Sequence, residues 1–208
     1  MLDETLFADG YMLGLVHGIL LTVAPGLVFI IFLAHTGAIW QFAGALGEDN
    51  TRDELKRAQR RGKIWGWQDN IELANGDIDH LVLTASGPLA LDTKWHAKVW
   101  DRRSVEADAD RATVAARKAR FVLKSLGHVT DVQPLVVVWG RAQHDIPSGG
   151  TYVSGTHFVA GKELLGYMDR FATGPVSRAE AQEILAKLRA FHRRVNPAEF
   201  KSESRSTR

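Results

Sequence analysis

From Tyr11 to Ala34 the chain reads YMLGLVHGILLTVAPGLVFIIFLA, without a single Asp, Glu, Lys or Arg. A helix crosses the hydrocarbon core of a bilayer with about 20 mostly apolar residues, so the run predicts one transmembrane helix over 11–34. A soluble alternative has to bury such a helix on all sides. Gly14, Gly18, Pro25 and Gly26 are compatible with a membrane helix, where such residues are tolerated. Tyr11 and Trp40 are suited to the two interfaces, His17 to a helix face and His35 to an interface. The leader of a cleaved signal peptide is basic, whereas Asp3, Glu4 and Asp9 precede this run. No Lys or Arg lies before the span, and Arg52, Lys56, Arg57, Arg60, Arg61 and Lys63 follow it. The positive-inside rule then predicts a single-pass protein of the cell membrane whose C-terminal part is cytoplasmic.

The remainder of the 208 residues suffices for one ordinary domain. Its net charge of +2 does not by itself imply a polyanionic partner, although the basic run at 52–63 suits anionic lipid or nucleic-acid phosphates as well as solvent. The absence of cysteine excludes disulfides and thiolate metal sites. Periodicity predicts a polar helix over 47–63, strands over 64–73, 77–85 and 89–95, and an amphipathic helix over 106–127. A buried strand follows at 134–140, a short strand near 156–161, and helices at 162–171 and 177–195. Asn75-Gly76 marks one turn and Ser86-Gly87-Pro88 another. Ser177 with Glu180 forms a capping box for the last helix. The order predicts an α/β sandwich around a mixed sheet, with a disordered polar tail over 194–208.

The stretch DIDHLVLTASGPLALDTKWH, residues 77–96, sets acids and a lysine into an otherwise buried hairpin. Charges in such company cost free energy unless paired or bound to metal. Alternation puts Asp92 and Lys94 on one face, with His96 joining them if the strand continues. Asp79, and Asp77 with it, can face the same side from the preceding strand. Paired carboxylates suit a hard cation such as Mg²⁺, and a cation beside an ammonium suits phosphodiester hydrolysis. On spacing alone, a salt bridge between Asp92 and Lys94 is the more economical reading, because an acid-x-Lys tripeptide is a weak motif. His80 and His96 with the aspartates make a poorer case for zinc, since an oxygen-rich set suits Mg²⁺. GTHFVAGKE, residues 155–163, lacks the spacing of a phosphate-binding loop, and Glu163 stands where a Ser or Thr would hold Mg²⁺. The tryptophans are expected as core or membrane-interface residues; Trp65, Trp67 and Trp95 do not read as a base-stacking platform, although Trp95 beside Lys94 leaves that role open.

The same stretch resembles the central motif of the NERD (nuclease-related) domain, a branch of the PD-(D/E)xK nuclease-like superfamily. The matching residues are Ile78-Asp79-His80, Gly87 and Leu91-Asp92-Thr93-Lys94. Upstream, GALGEDNTRDEL (44–55) resembles the family's opening helix, and VQPLVVVWG its later core strand. The resemblance spans residues 44–193. It implies a restriction-endonuclease-like mixed β-sheet flanked by helices and preceded by the transmembrane helix. It also implies a nuclease that hydrolyses DNA, with RNA as the other candidate polymer, and uses Mg²⁺ or Mn²⁺. Asp79, Asp92, the carbonyl of Thr93 and Glu48 are then the metal ligands, and Lys94 positions or activates water. Relatives often carry a glutamine on the central helix. DADRATVAARKARF has none, so Arg111, Arg117, Lys118 or Arg120 is expected to face the site instead. Two rivals on the same fold are an inactive nucleic-acid-binding module and a membrane-tethered protein-interaction module.

Overall fold

A computed structural model describes residues 4–35, 38–73, 76–98 and 101–195. The expected tail over 194–208 lies outside these residues beyond Val195, as does Asn75 of the first turn. The chain divides into two compact units, Met1–Ala43 and Gly44–Arg208.

Helix α1 (Glu4–His35) makes up most of the first unit and carries Pro25 inside it. Its stretch Tyr11–Phe32 is long and apolar enough to cross a membrane, and none of it is buried. Thr22 Oγ1 returns a hydrogen bond to the Gly18 carbonyl at 2.5 Å, hiding its hydroxyl within the helix. Helix α2 (Ala38–Arg60) begins upstream of the expected polar helix.

The second unit is mixed α/β. Its elements are β1 (Gly66–Ile71), β2 (Ile78–Thr84), β3 (Gly87–His96), α3 (Arg102–Ser125), β4 (Gln133–Gly140), β5 (Thr151–Val153), β6 (Thr156–Ala160), α4 (Leu164–Tyr167) and α5 (Arg178–Val195). They form a six-stranded sheet in the order β1-β2-β3-β4-β6-β5. The β1–β2, β2–β3 and β5–β6 pairs are antiparallel. The β3–β4 and β4–β6 pairs are parallel. A parallel pair needs a long crossover, and α3 supplies it between β3 and β4.

Alternation along the strands sorts the core. On one face Val82, Leu89, Leu91, Leu135, Val137 and Val159 pack with Leu55 and Ala58 of α2 and with Leu164, Tyr167 and Met168. On the other face Leu81, Leu83 and Ala90 meet Ala116, Ala119, Val122 and Leu123 of α3 and Ile184, Leu185 and Leu188 of α5. Val136, Val138 and Phe158 meet Ala109 and Ala112 further along α3. The alanine stripe, buried at 109, 112, 116 and 119, lets α3 lie close to the sheet. Asp101 caps the helix by accepting the Ser104 N–H, and Gly127 takes φ +88° just past its end.

Three expectations shift. The β2–β3 turn is Ala85-Ser86, because Thr84 pairs with Gly87 and Pro88 already lies within β3. Residues 162–171 form a single turn of α-helix between short 3₁₀ segments rather than a continuous helix. Strand β5 stands outside the strands that periodicity predicts; Ser154 and Gly155, both at positive φ, turn it into β6.

Candidate active site

In the register of β2 and β3, His80 lies opposite Leu91. One step further puts Asp79 opposite Asp92, on the sheet face covered by α3, with Lys94 and His96 following on the same face. The ladder does not continue to that step. Instead, the Asp79 carboxylate accepts the main-chain N–H of Thr93 at 2.8 Å. The strands part here, and an acid side chain takes over a donor the ladder has dropped.

Asp92 is 8 % exposed. Lys94 Nζ donates to its Oδ1 at 2.7 Å, while Oδ2 is buried without a hydrogen-bond partner. Burial pushes the Asp92 carboxyl up to about 6; the Lys94 ammonium opposes this and the neighbouring Asp79 adds to it. Burial therefore outweighs the ion pair.

Glu48 reaches this region from α2, the helix on the opposite face. Burial raises its pKa first and the charge of Asp79 second. Two contacts fix that turn of α2: Thr51 Oγ1 accepts from Trp139 Nε1 at 2.8 Å and from Thr93 Oγ1 at 3.1 Å. The Thr93 side chain thus serves the helix side, and only its main chain lies beside Asp79. Asp77 is exposed ahead of β2.

The structure therefore brings together Asp79, Asp92, Lys94 and the main chain of Thr93, with Glu48 close enough to feel Asp79. The two histidines diverge. His80 Nδ1 meets Asp69 Oδ1 on the face opposite Asp79, and Arg52 bridges Asp69 and Asp49. Burial pushes the Asp69 carboxyl upward, but His80 and Arg52 together hold it below its usual value. His96 turns to α3, where its Nε2 lies 2.8 Å from Asp108 Oδ2.

Helix α3 differs from expectation at the site. Its contribution is Asp108, 2 % exposed; among the four expected cations, Arg111 reaches only Asp108, at 3.7 Å. Arg120 pairs with Asp131 and Lys118 donates to the Gly76 carbonyl, while Arg117 lines a cavity with Arg120 and Asp131. Asp108 sits among alanines at helical spacing, a pattern that marks a core face and makes a buried acid there the available signal. Trp65 donates to the Val176 carbonyl and Trp67 packs against the core, as expected of core residues.

Among the described residues no group of three or more His, Cys, Asp and Glu side chains is arranged to hold a metal ion. A Mg²⁺ ion, however, retains several waters and commonly takes one or two protein carboxylates. The unpartnered Oδ2 of Asp92 beside Asp79 fits that smaller requirement.

No family model matches the chain, and no curated protein or solved structure does.

Proposed function

We propose that the chain is a membrane-anchored, metal-dependent nuclease with a restriction-endonuclease-like domain. The observation that carries this reading is the juxtaposition of Asp79 and the buried, half-unsatisfied Asp92 with Lys94 where β2 and β3 separate. A buried polar atom without a partner is costly, and a divalent cation would remove that cost. Asp79 and Asp92 would hold Mg²⁺ or Mn²⁺, with Glu48 and the Thr93 carbonyl as further oxygen donors. When bound, the ion supplies Lewis-acid stabilisation of the phosphoryl oxygens.

The protein's own groups do the rest. Thr93 N–H holds the Asp79 carboxylate in place. Lys94, already donating to Asp92, acts as a positioned ammonium that orients water and offsets charge gathering on the phosphate. Water oxygen bonds to phosphorus and releases its proton to solvent, the P–O bond to the leaving sugar oxygen breaks, and that oxygen departs to take a proton from solvent. The substrate is DNA, with RNA as the second polymer to test.

The Tyr11–Phe32 stretch supports a single span. The basic residues from Arg52 to Lys63 support a cytoplasmic second unit in the cell membrane.

Two experiments test these readings. Full-length protein in detergent is incubated with DNA and RNA in Mg²⁺, Mn²⁺ or EDTA; cleavage in the metal arms alone is expected, and none in any arm refutes the nuclease reading. Reporters active on one side of the membrane are fused to the C-terminus. Activity of the exterior reporter alone refutes the orientation, and release of the chain by salt refutes the anchor.

A further inference from the structure

The three parallel strands β3, β4 and β6 end at one edge of the sheet, at His96, Gly140 and Ala160. Ligands of open α/β sheets gather outside the carboxyl ends of such strands. Here the edge is tightly sealed. Gly140, at φ +76°, lies so close to β3 that a Cβ on it would stand 2.6 Å from the His96 carbonyl oxygen. Arg141 follows at once, exposed. Lys98 stands exposed two residues beyond His96, and Lys162 two residues beyond Ala160.

Charges of both signs stand at this edge: Asp145 closes the 3₁₀ turn that Arg141 opens, and Glu163, next to Lys162, accepts the Gly149 N–H. Arg102 is paired with Glu106, and Asp101 is occupied as the cap of α3 with Arg103 nearby. Lys98 and Arg141 have no ion pair to a described residue.

His96 is built in more firmly than a surface histidine. Its Nε2 is held by Asp108, whose side chain is 3 % exposed, while the imidazole itself remains 27 % exposed. A buried carboxylate behind a half-exposed ring fixes its orientation. No described residue bonds Nδ1; since Nε2–H donates to the Asp108 carboxylate, it is the Nδ1–H of the doubly protonated ring that would donate to a phosphate oxygen. The ring stands on the same face as Lys94 and one strand repeat away, about 6.6 Å along the chain.

We propose that this edge, His96 with Lys98 and Arg141, is where the sugar–phosphate backbone of a nucleic acid lies, His96 contacting the phosphate next to the one at Lys94. Asp108 is the positioning residue for that contact. The proposal rests on the nucleic-acid part of the function proposed above and specifies the direction in which the polymer leaves Lys94.

The test is equilibrium binding of a short fluorescein-labelled DNA duplex and its single strand to the full-length protein in detergent. Binding is measured by anisotropy in EDTA over a range of salt concentrations. Removing one cation that touches a phosphate weakens binding regardless of sequence and lowers the salt slope by about one. Lys98→Ala and Arg141→Ala should each do so. His96→Ala should weaken binding, and Asp108→Asn should weaken it less. Lys124→Ala, on the last turn of α3, should change neither affinity nor slope. Lys98 and Arg141 are exposed, so their variants report even if His96→Ala or Asp108→Asn fails to fold.

Wild-type slopes in Lys98→Ala and Arg141→Ala, or an equal weakening in Lys124→Ala, overturn the proposal, as does failure of the wild-type chain to bind either probe. Cleavage in Mg²⁺ is scored separately. Binding that weakens as expected in the variants, without cleavage, removes the nuclease reading and leaves the docking edge standing; cleavage with unchanged slopes does the reverse.

Discussion

The carboxylate of Asp79 accepts the main-chain N–H of Thr93 at 2.8 Å, one residue past the last β2–β3 pair. One acid thus does two things: it ends the hairpin ladder and presents its charge to Asp92. The two roles separate by substitution. Asp79→Asn keeps an acceptor for the amide but removes the charge, so cation binding should be lost while the fold persists. Asp79→Ala also strands the amide, at a cost of about 1–3 kcal/mol. Calorimetric Mg²⁺ titration beside urea denaturation checks both. Equal stability of the two variants shows that the Thr93 bond contributes nothing.

Asp92 carries a pH signature. Its folded pKa, about 6, lies above the ordinary 3.8 because burial penalises the charged form. The folded state then holds this proton more tightly than the unfolded state. The corresponding stability is fully present below about 4 and is lost as pH rises through about 6. Asp92→Asn cannot ionise. Its stability relative to the wild type, without divalent cations, should therefore rise between pH 4 and 6 and level off above, by on the order of 1–3 kcal/mol. Denaturation of both proteins across that range measures it; a flat difference means that Asp92 titrates normally. In the wild type, Mg²⁺ binding should release a proton below pH 6 and tighten as pH rises.

Much of this is legible in the chain because its signals are local. The apolar run at 11–34, the strand alternation at 77–96 and the Ser177 cap each act within a few residues; Glu180 N–H does bond Ser177 Oγ, at 3.2 Å. That alternation also suffices to place Asp79, Asp92 and Lys94 on one face. The pairing of His96 with Asp108 is not legible. It depends on how α3 crosses the sheet: the alanine stripe marks the face that holds Asp108 as buried but does not say which strand residue the acid meets. Strand β5 escapes for a related reason: Thr151–Val153 is short and forms only by pairing with β6. The position of Glu48 depends on the contact of Thr51 with Trp139, residues separated by the whole central sheet in sequence.

That contact makes a glycine outside the site matter. A Cβ on Gly161 would stand 2.3 Å from the Trp139 ring. Gly161→Ala must therefore push the indole, and with it the Nε1–H that holds Thr51 one turn from Glu48. Overpacking of this kind costs about 1–3 kcal/mol. The variant should be destabilised and should bind Mg²⁺ more weakly, although residue 161 touches no acid of the site. Thr51→Val, which removes the acceptor without crowding, should reproduce the weaker binding. Wild-type cation affinity in both variants shows that Glu48 takes no part in holding the ion.

Lys94 separates binding from chemistry. Its ammonium is committed to Asp92 Oδ1 at 2.7 Å, so it enters the site as a proton donor and a fixed positive charge. Lys94→Ala frees that oxygen and removes a cation that competes with the metal ion. It also removes an influence that lowers the Asp92 pKa, so the carboxyl holds its proton to higher pH. At alkaline pH the variant should bind Mg²⁺ at least as tightly as the wild type; near pH 6 it should bind more weakly. Cleavage should fall at both, by about 10²–10³-fold, the scale seen when one electrostatic contributor to a transition state is removed. Lys94→Arg keeps the charge but spreads it over a planar fork, and should recover the pH dependence of binding more fully than the rate. Calorimetry at two pH values beside single-turnover cleavage makes the comparison. Undiminished cleavage by Lys94→Ala assigns the activity to a different site, whatever the metal affinity shows.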